Sequence, residues 1–477
     1  MEPKTQPTVL TRGIDLDLTP AQVFENLHRH PGFFFLDSGM SDHPLSRFSY
    51  VGVHPFQTLR SRGDGMDVVT GKKIRHLRGN PLFTLANLLK ERETSSGNSM
   101  IPFSAGAVGY FSYELGHHIM DVETHREDNL GLPDMHIAFY NTMLAYEHHT
   151  KRWYGAALDL TGGRGATIRK RLGKEIEKLA ELAHHHARGP MGDIIATDPG
   201  EDEVGFAPPD KQHLVTIDGL EVSSSMSKEE YLQAVQKIKG HIAAGDIYQA
   251  NLTQRWSIPF SGDPGTLYSA LRKVSPAPFG TFLNTGECVI AGSSPESFLS
   301  VRGRKIETRP IKGTRPRGDS PNEDSQQREA LMGSDKDRAE LTMIADLERN
   351  DLGKICEPGS VEVEELHRLE SFSNVHHLVS VVKGELVQNA TLPEIFEATF
   401  PGGSITGAPK RRAMEILDTT EGAVRGPYTG AMGFLGFDGA IELNIAIRTL
   451  VLTQGYCHLG VGSGIVADSD PESEYNE

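Results

Sequence analysis

The chain has 477 residues, is 38 % hydrophobic and 23 % charged, and carries a formal net charge of −16. It can therefore bury a large core, as two or three domains or one unusually large one, and it lacks the basic surface with which a sequence-independent nucleic-acid binder neutralises phosphates. Cys288, Cys356 and Cys457 form no C-x-x-C pair and are odd in number, the start has no apolar signal core, and no run of about eighteen apolar residues occurs, so a cytoplasmic protein with no membrane partner is expected.

In chain order, segments such as "RFSYVGVHPF" (47–56) and "AGAVGYFSYELG" (105–116), rich in aromatic, β-branched and glycine residues, predict strands and turns up to about residue 160. A helical stretch follows over 168–189. Its histidine triplet, 184–186, cannot face one metal from adjacent helical positions and reads as a solvated face. The acid, Gly and Pro content of "DPGEDEVGFAPPDKQ" marks a linker, and the stretch 160–220 is assigned to it. The sequence thus divides into 1–220, ending in the linker, and 221–477. After the boundary a Ser cap followed by acids, with Tyr231, Val235, Ile238 and Ile242 at helical spacing up to Gly245, predicts a helix. It leads into a strand carrying Gln249 and Asn251. Strands joined by turns are expected over 288–314, helices over 324–355, and near the end an antiparallel meander turning at Asp438-Gly439 and Gln454-Gly455. In its middle strand, Glu442, Asn444 and Arg448 share one face by the period of two; taken alone, that face meets water.

Two carboxylate pairs, Asp337 with Glu340 and Glu474 with Glu477, each lie three apart in helical sequence, the second just inside a start capped by Asp470 with Pro471 at the first position. Such pairs suit a hard cation such as magnesium, although acids at this spacing are by themselves ordinary solvated faces. "FPGGSITGAPK" (400–410) and "GVGSG" (460–464) are glycine-rich stretches whose amides can approach an anion, but neither is a nucleotide-binding motif. Turn glycines are the plain alternative. Together with Lys410, Arg448 and the four acids, the two loops suit a small polyanion held partly through a metal. No G-x-S-x-G motif is present, and no cysteine has the setting of a glutamine amidotransferase nucleophile, so ammonia for any nitrogen chemistry comes from elsewhere.

The blocks "GDIYQANLTQR", "AGSSPES", "ETRPIKGTRPRG", "DRAELTMIADLERNDLG", "VHHLVS", "FPGGSITGAPKRRAMEI", "AIRTL" and "GSGIVADSDPESEYNE" occur in the order found in the chorismate-utilising enzymes, which this chain resembles from about residue 224 onward. The resemblance is fainter in "FFFLDSGMSDHPLSRFSYVGVHPF" and "AGAVGYFSYELG" and absent from the linker. It implies an α+β fold of large antiparallel sheets packed as a sandwich, built from both halves of the chain with helices outside. It also implies a Mg2+ site at Asp337, Glu340, Glu474 and Glu477, with Asp337, often Glu in relatives, reaching the metal through a water. Glu296 matches the general acid/base, His377 the active-site histidine, and Tyr428 and Arg448 the contacts to the enolpyruvyl carboxylate. Further substrate contacts are expected at Gln249, Thr314, Thr406, Gly407, Lys410, Gly462 and Gly464. Asp37 and Ser38 lie where family members hold tryptophan. Relatives continue through a helix beyond Glu477, so the second acid pair is expected to lie at a frayed end.

Three positions select a branch. Isochorismate and salicylate synthases place a water-activating lysine where this chain has Gln249, and glutamine is no base. Anthranilate synthases usually read P-I-A-G-T where this chain reads P-I-K-G-T with Lys312, and that reading, like "NLTQ" (251–254), resembles the aminodeoxychorismate synthase component I branch. The resemblance implies amination of chorismate at C4 through a covalent Lys312 intermediate, with ammonia from a glutamine amidotransferase subunit, for 4-aminobenzoate and folate synthesis. Lys312 has to be neutral to attack; Arg309, Arg315 and Arg317, together with burial, are expected to disfavour its ammonium. The alternatives are anthranilate synthase component I and a non-catalytic relative that binds chorismate or tryptophan.

Overall fold

A computed structural model describes residues 7–40, 43–94, 100–126, 128–161, 165–186, 213–217, 219–372 and 374–477. Within them the strands collect into two antiparallel sheets of thirteen and twelve strands with helices on their outer faces, the α+β sandwich expected from the sequence. The centre of the first sheet runs, neighbour to neighbour, Phe34–Asp37, Phe279–Asn284, Val289–Ser294, Thr449–Thr453, Tyr456–Ile465 and Gln249–Pro259. The second begins with Ile311–Pro316, Val375–Glu385, Lys305–Arg309, Ser297–Arg302, Ile441–Ile445, Ala431–Gly436 and Gly106–Phe111, and ends at the edge strand Lys73–Arg78. In each sheet a run of strands from before residue 220 joins a run from after it, Phe34–Asp37 pairing with Phe279–Asn284 in the first and Gly106–Phe111 with Ala431–Gly436 in the second. That position divides the sequence and not the fold.

Side-chain alternation explains the layering. Phe34 and Leu283 point between the sheets, where Ile290 and Val451 join them against Val108, Met432 and Phe434 of the second sheet. Their neighbours Phe35 and Phe282 point outward and are covered by Phe24 and Tyr268 from the helices Pro20–Leu27 and Pro264–Val274. On the far face of the second sheet, Leu299 and Leu443 pack against Ala345 and Phe396 from the helices Asp335–Gly353 and Leu392–Thr399. Each such side chain contributes about 1.5–3 kcal/mol by leaving water.

The helix Lys228–Ala244 opens on the Ser227 capping box with Glu230 and ends at Gly245, whose φ of +82° favours glycine. It buries Tyr231, Val235 and Ile238 against the helix Lys410–Asp418 and Ile465, forming one end of the molecule. In the linker, Ala166–Leu182 is helical and the histidines 184–186 are exposed, while 187–212 lie outside the described residues. All three cysteines are free and buried. Among the described residues no helix is long and apolar enough to cross a membrane.

The last four strands are not the single meander expected. Ala431–Gly436 and Ile441–Ile445 belong to the second sheet, Thr449–Thr453 and Tyr456–Ile465 to the first. The chain steps between sheets at 446–448, where Arg448 takes φ +50°, so the period that grouped Arg448 with Glu442 and Asn444 stops at Ile445. A second step, at 295–296, joins Val289–Ser294 to Ser297–Arg302. The two steps are bonded to each other: the Ile445 N–H donates to the Glu296 carbonyl (3.0 Å), the Ser293 N–H to that of Arg448 (3.0 Å), and the Ser294 hydroxyl to that of Ile445 (2.6 Å).

Candidate active site

Glu296 and Arg448 therefore stand side by side on two crossings between sheets, and other segments close around them. The 3₁₀ turn Gly403–Ile405 brings the Ser404 hydroxyl to Glu296 Oε1 at 2.6 Å, and the Ile311 N–H reaches the same oxygen at 3.4 Å. Glu296 is 4 % exposed, and burial pushes its carboxyl up to about 7 against the opposing pull of Ser404, Lys312 and the Ile311 amide. Such a group holds a proton near neutrality and can give it to a leaving group.

Lys312 lies on the strand Ile311–Pro316, whose pairing slips at Gly313 (φ +76°), leaving Lys312 opposite Leu378 and Thr314 opposite His377. Among the described residues its amine has no ion-pair partner; burial lowers its pKa, while Glu340, Glu296, Glu477 and Glu474 raise it. The role given to the arginines is corrected here. Arg309 pairs with Glu370 (2.5 Å), Arg315 with Asp337 (3.0 Å) and Arg317 with Asp324 (2.6 Å), so their charges are cancelled locally and burial is what disfavours the ammonium.

Glu340, Glu474 and Glu477 thus gather around Lys312. Burial raises the Glu340 carboxyl most; Lys312 and Lys336 lower it, and Asp337 and Glu474 raise it further, so mutually repelling carboxylates share this space. Glu474 lies on the helix Pro471–Asn476, capped by Asp470 as expected, and accepts the Ser463 hydroxyl at 2.6 Å. Among the described residues no three Asp, Glu, His or Cys groups form a ready chelate.

Arg448 is half-buried and has no carboxylate partner among the described residues; burial lowers its pKa, and its charge reaches His377. An uncancelled, partly dry guanidinium is a receptor for a ligand carboxylate. His377 shares Nδ1 with the Thr314 hydroxyl at 2.8 Å and buries Nε2 without a partner. Burial, with Arg448 next, holds its pKa at about 4, which leaves the ring neutral. Gln249, wholly buried, gives Nε2 to Asn251 Oδ1 (3.3 Å) and leaves Oε1 unpartnered.

The glycine-rich stretches are sites of close approach. Gly460, Gly462 and Gly464 alternate along one face of Tyr456–Ile465. A Cβ at Gly460 would fall 2.2 Å from the Tyr428 ring, and one at Gly464 would fall 2.7 Å from Gln249 Nε2. Gly407, beside the buried Thr406, has φ +142° and pairs with Ala250; a Cβ there would fall 2.3 Å from the Gln249 carbonyl. Lys410 is a second correction. Its amine is committed to Asp351 (2.7 Å) and to the Thr399 carbonyl (2.7 Å), which makes it a strut under the turn rather than a substrate contact. Asp37 and Ser38 stand apart, lining a cavity of about 270 Å³ with Phe48, Tyr50 and Asn444; Asp37 is paired with Arg272, and Ser38 donates to the Phe48 carbonyl at 2.7 Å.

Sequence reasoning missed Ser404 and the pair Glu421–Arg425. Arg425 binds Glu421 (2.6 Å) and the carbonyls of Asn251 (2.6 Å) and Ile405 (3.0 Å), fixing the backbone under Gln249. Ser404 lies within "FPGGSITGAPKRRAMEI", but no spacing announces which carboxyl a turn serine will meet.

A family model described as chorismate binding enzyme matches residues 34–477. The chain is 37 % identical over 473 residues to anthranilate synthase component 1 of Geobacillus stearothermophilus, covering 96 % of this chain and 89 % of the relative. It is 36 % identical over 457 residues to aminodeoxychorismate synthase component 1 of Escherichia coli K12, covering 95 % and 92 %. The crystal structure of anthranilate synthase component I from Streptococcus pneumoniae TIGR4 superposes with a TM-score of 0.75 at 29 % identity over 91 % of each chain.

Proposed function

The chain belongs to the chorismate binding enzymes, and from that premise we propose that it aminates chorismate at C4 to 4-amino-4-deoxychorismate, with Lys312 as covalent nucleophile. The observation that carries this reading is Lys312 itself, an unpaired and sheltered amine beside Glu296. Neutral Lys312 Nζ attacks C2, the ring electrons shift, and the C4–O bond breaks as Glu296 gives its proton to the departing hydroxyl, which leaves as water. The lysine is then a secondary ammonium on the ring. Ammonia attacks C4, the electrons return, and the C2–N bond breaks to free neutral Lys312. Glu296 recovers its proton from the new C4 ammonium.

Arg448 and Tyr428 would hold the enolpyruvyl carboxylate, and neutral His377, oriented by Thr314, offers its unpartnered Nε2 to the substrate. Glu340, Glu474 and Glu477, with Asp337 through a water, would hold Mg2+, whose charge offsets the ring carboxylate. Their mutual repulsion fits a cation. The ammonia would come from a glutamine amidotransferase subunit, and the product would feed 4-aminobenzoate and folate synthesis. The cavity beside Asp37 and Ser38 is proposed to take an amino acid such as tryptophan.

Likeness to anthranilate synthase component 1 favours a second reading, in which ammonia enters at C2 and pyruvate leaves. Product masses with chorismate, magnesium and ammonium separate the two. Without ammonium, C4 chemistry predicts a dehydrated chorismate adduct on the Lys312 peptide, discharged when ammonium is added. No adduct, together with undiminished C4 amination in Lys312→Ala, would overturn the covalent route.

A further inference from the structure

Glu348 plays no part in the chemistry above. It lies on the helix Asp335–Gly353, is 2 % exposed, and its Oε1 accepts the Gly403 N–H at 3.1 Å. Its Oε2 is buried with no hydrogen-bond partner among the described residues. The next residue in the same turn, Ser404, gives its hydroxyl to Glu296. Two carboxyl groups from separate elements therefore grip neighbouring groups of one three-residue turn, Gly403–Ile405. The turn has no slack, since a Cβ on Gly403 would fall 3.1 Å from Glu348 Oε1 and 2.5 Å from Leu347 Cδ2.

We propose that Glu348 is a positioning residue for Glu296, acting through the turn that both carboxyls hold and through the charge it places behind the acid. The proposal rests on Glu296 being the proton donor. The charged groups facing Glu348 are Lys410 from the helix Lys410–Asp418, Asp351 from its own helix, and Glu296 from the crossing between sheets. Lys410 is held by Asp351 and the Thr399 carbonyl, and Asp351 also binds Lys354, so the cations near Glu348 are already engaged. Burial raises the Glu348 carboxyl most, and Asp351 and Glu296 add to it against Lys410 and the Gly403 amide. Glu296 in turn faces Lys312. Charge on either glutamate opposes ionisation of the other, so once Glu348 is ionised Glu296 keeps its proton to higher pH.

The test follows chorismate consumption with magnesium and saturating ammonium, whichever product forms. kcat and KM are measured against pH for the full chain and for Glu348→Gln, with thermal melting alongside. Gln retains an acceptor for Gly403 and removes the charge. The alkaline limb set by Glu296 is expected to move down by about 0.5–1 pH unit, with kcat at pH 8 reduced about three- to tenfold and KM changed less than about twofold. Glu348→Asp keeps the charge one methylene further back; its limb is expected within about 0.2 unit of the parent, with lower kcat. An unmoved limb in a folded Glu348→Gln overturns the proposal. So does a limb displaced by about 0.5 unit or more in Glu348→Asp, which decides the matter if Gln fails to fold. Glu296→Gln isolates the underlying assignment: if it is inactive while the Glu348→Gln limb is unmoved, only Glu348 loses its role, and if it is active both do.

Discussion

Two sets of charges in this molecule are treated in opposite ways. Behind the glycine strands, Glu421 and Arg425 have side chains only 1 % exposed and sit 2.6 Å apart, and Arg126 binds Glu421 at 2.8 Å and Asp418 at 2.9 Å. In front, Lys312 and Arg448 have no ion pair, and Gln249 Oε1 and His377 Nε2 have no partner among the described residues. A buried polar group left unsatisfied costs about 1–3 kcal/mol, and an unpaired charge more. A fold keeps several such groups together where a ligand completes them. Cancelled charges fix the backbone; uncancelled ones stay open to a ligand.

The largest effects should come from breaking each set in its own currency. Lys312→Ala and Glu296→Gln should each lower C4 amination by about 10²–10⁴-fold with little change in melting, read by product mass and circular dichroism. Arg425→Met should do the reverse, lowering stability by about 3–5 kcal/mol in urea unfolding because it breaks a buried ion pair, leaving Glu421 with Arg126 as its one cation among the described residues and the Asn251 and Ile405 carbonyls without their donor. A turnover loss without destabilisation in Arg425→Met would erase the distinction. Glu340→Gln and Glu474→Gln should then remove magnesium-dependent turnover while leaving the fold intact; an unchanged magnesium titration in both would refute the metal assignment.

Arg448→Lys keeps the charge but loses the planar fork, and KM for chorismate should rise about tenfold. In pH profiles the signs oppose. Glu296 must be protonated, so kcat/KM should fall as pH rises through about 7, and Lys312 must be neutral, so it should fall again on the acid side. The profile should be a bell whose alkaline limb alone disappears in the residual activity of Glu296→Gln. Smallest of all, Arg315→Met removes a half-exposed pair with Asp337 and should change stability by no more than about 1 kcal/mol.

The sandwich was legible because motif order carried it, and the helix after Ser227 because cap, period and terminal glycine agreed. The strand that was to include Arg448 was misread because a period of two continues in sequence past the point where the backbone turns left-handed. The arginines around Lys312 look, in sequence, like a field acting on the lysine. Their partners Glu370, Asp337 and Asp324 lie on other elements, and only folding reveals that the field is cancelled. Lys410 was misassigned for the same reason, since Asp351 is 59 positions away.

The joining of both halves within each sheet also bears on how the protein is made. Phe34–Asp37 pairs early with Phe48–Gly52 and Gly106–Phe111 with Met135–Tyr140, but the other edge of each is completed only by Phe279–Asn284 and Ala431–Gly436. While the chain emerges from a ribosome, the early strands must wait, hydrogen-bonding edges open, until hundreds of later residues arrive. Closing such long loops is slow, and open edges invite wrong pairing. Separately expressed halves, cut near residue 220, should therefore remain aggregation-prone alone and regain the sandwich only when mixed.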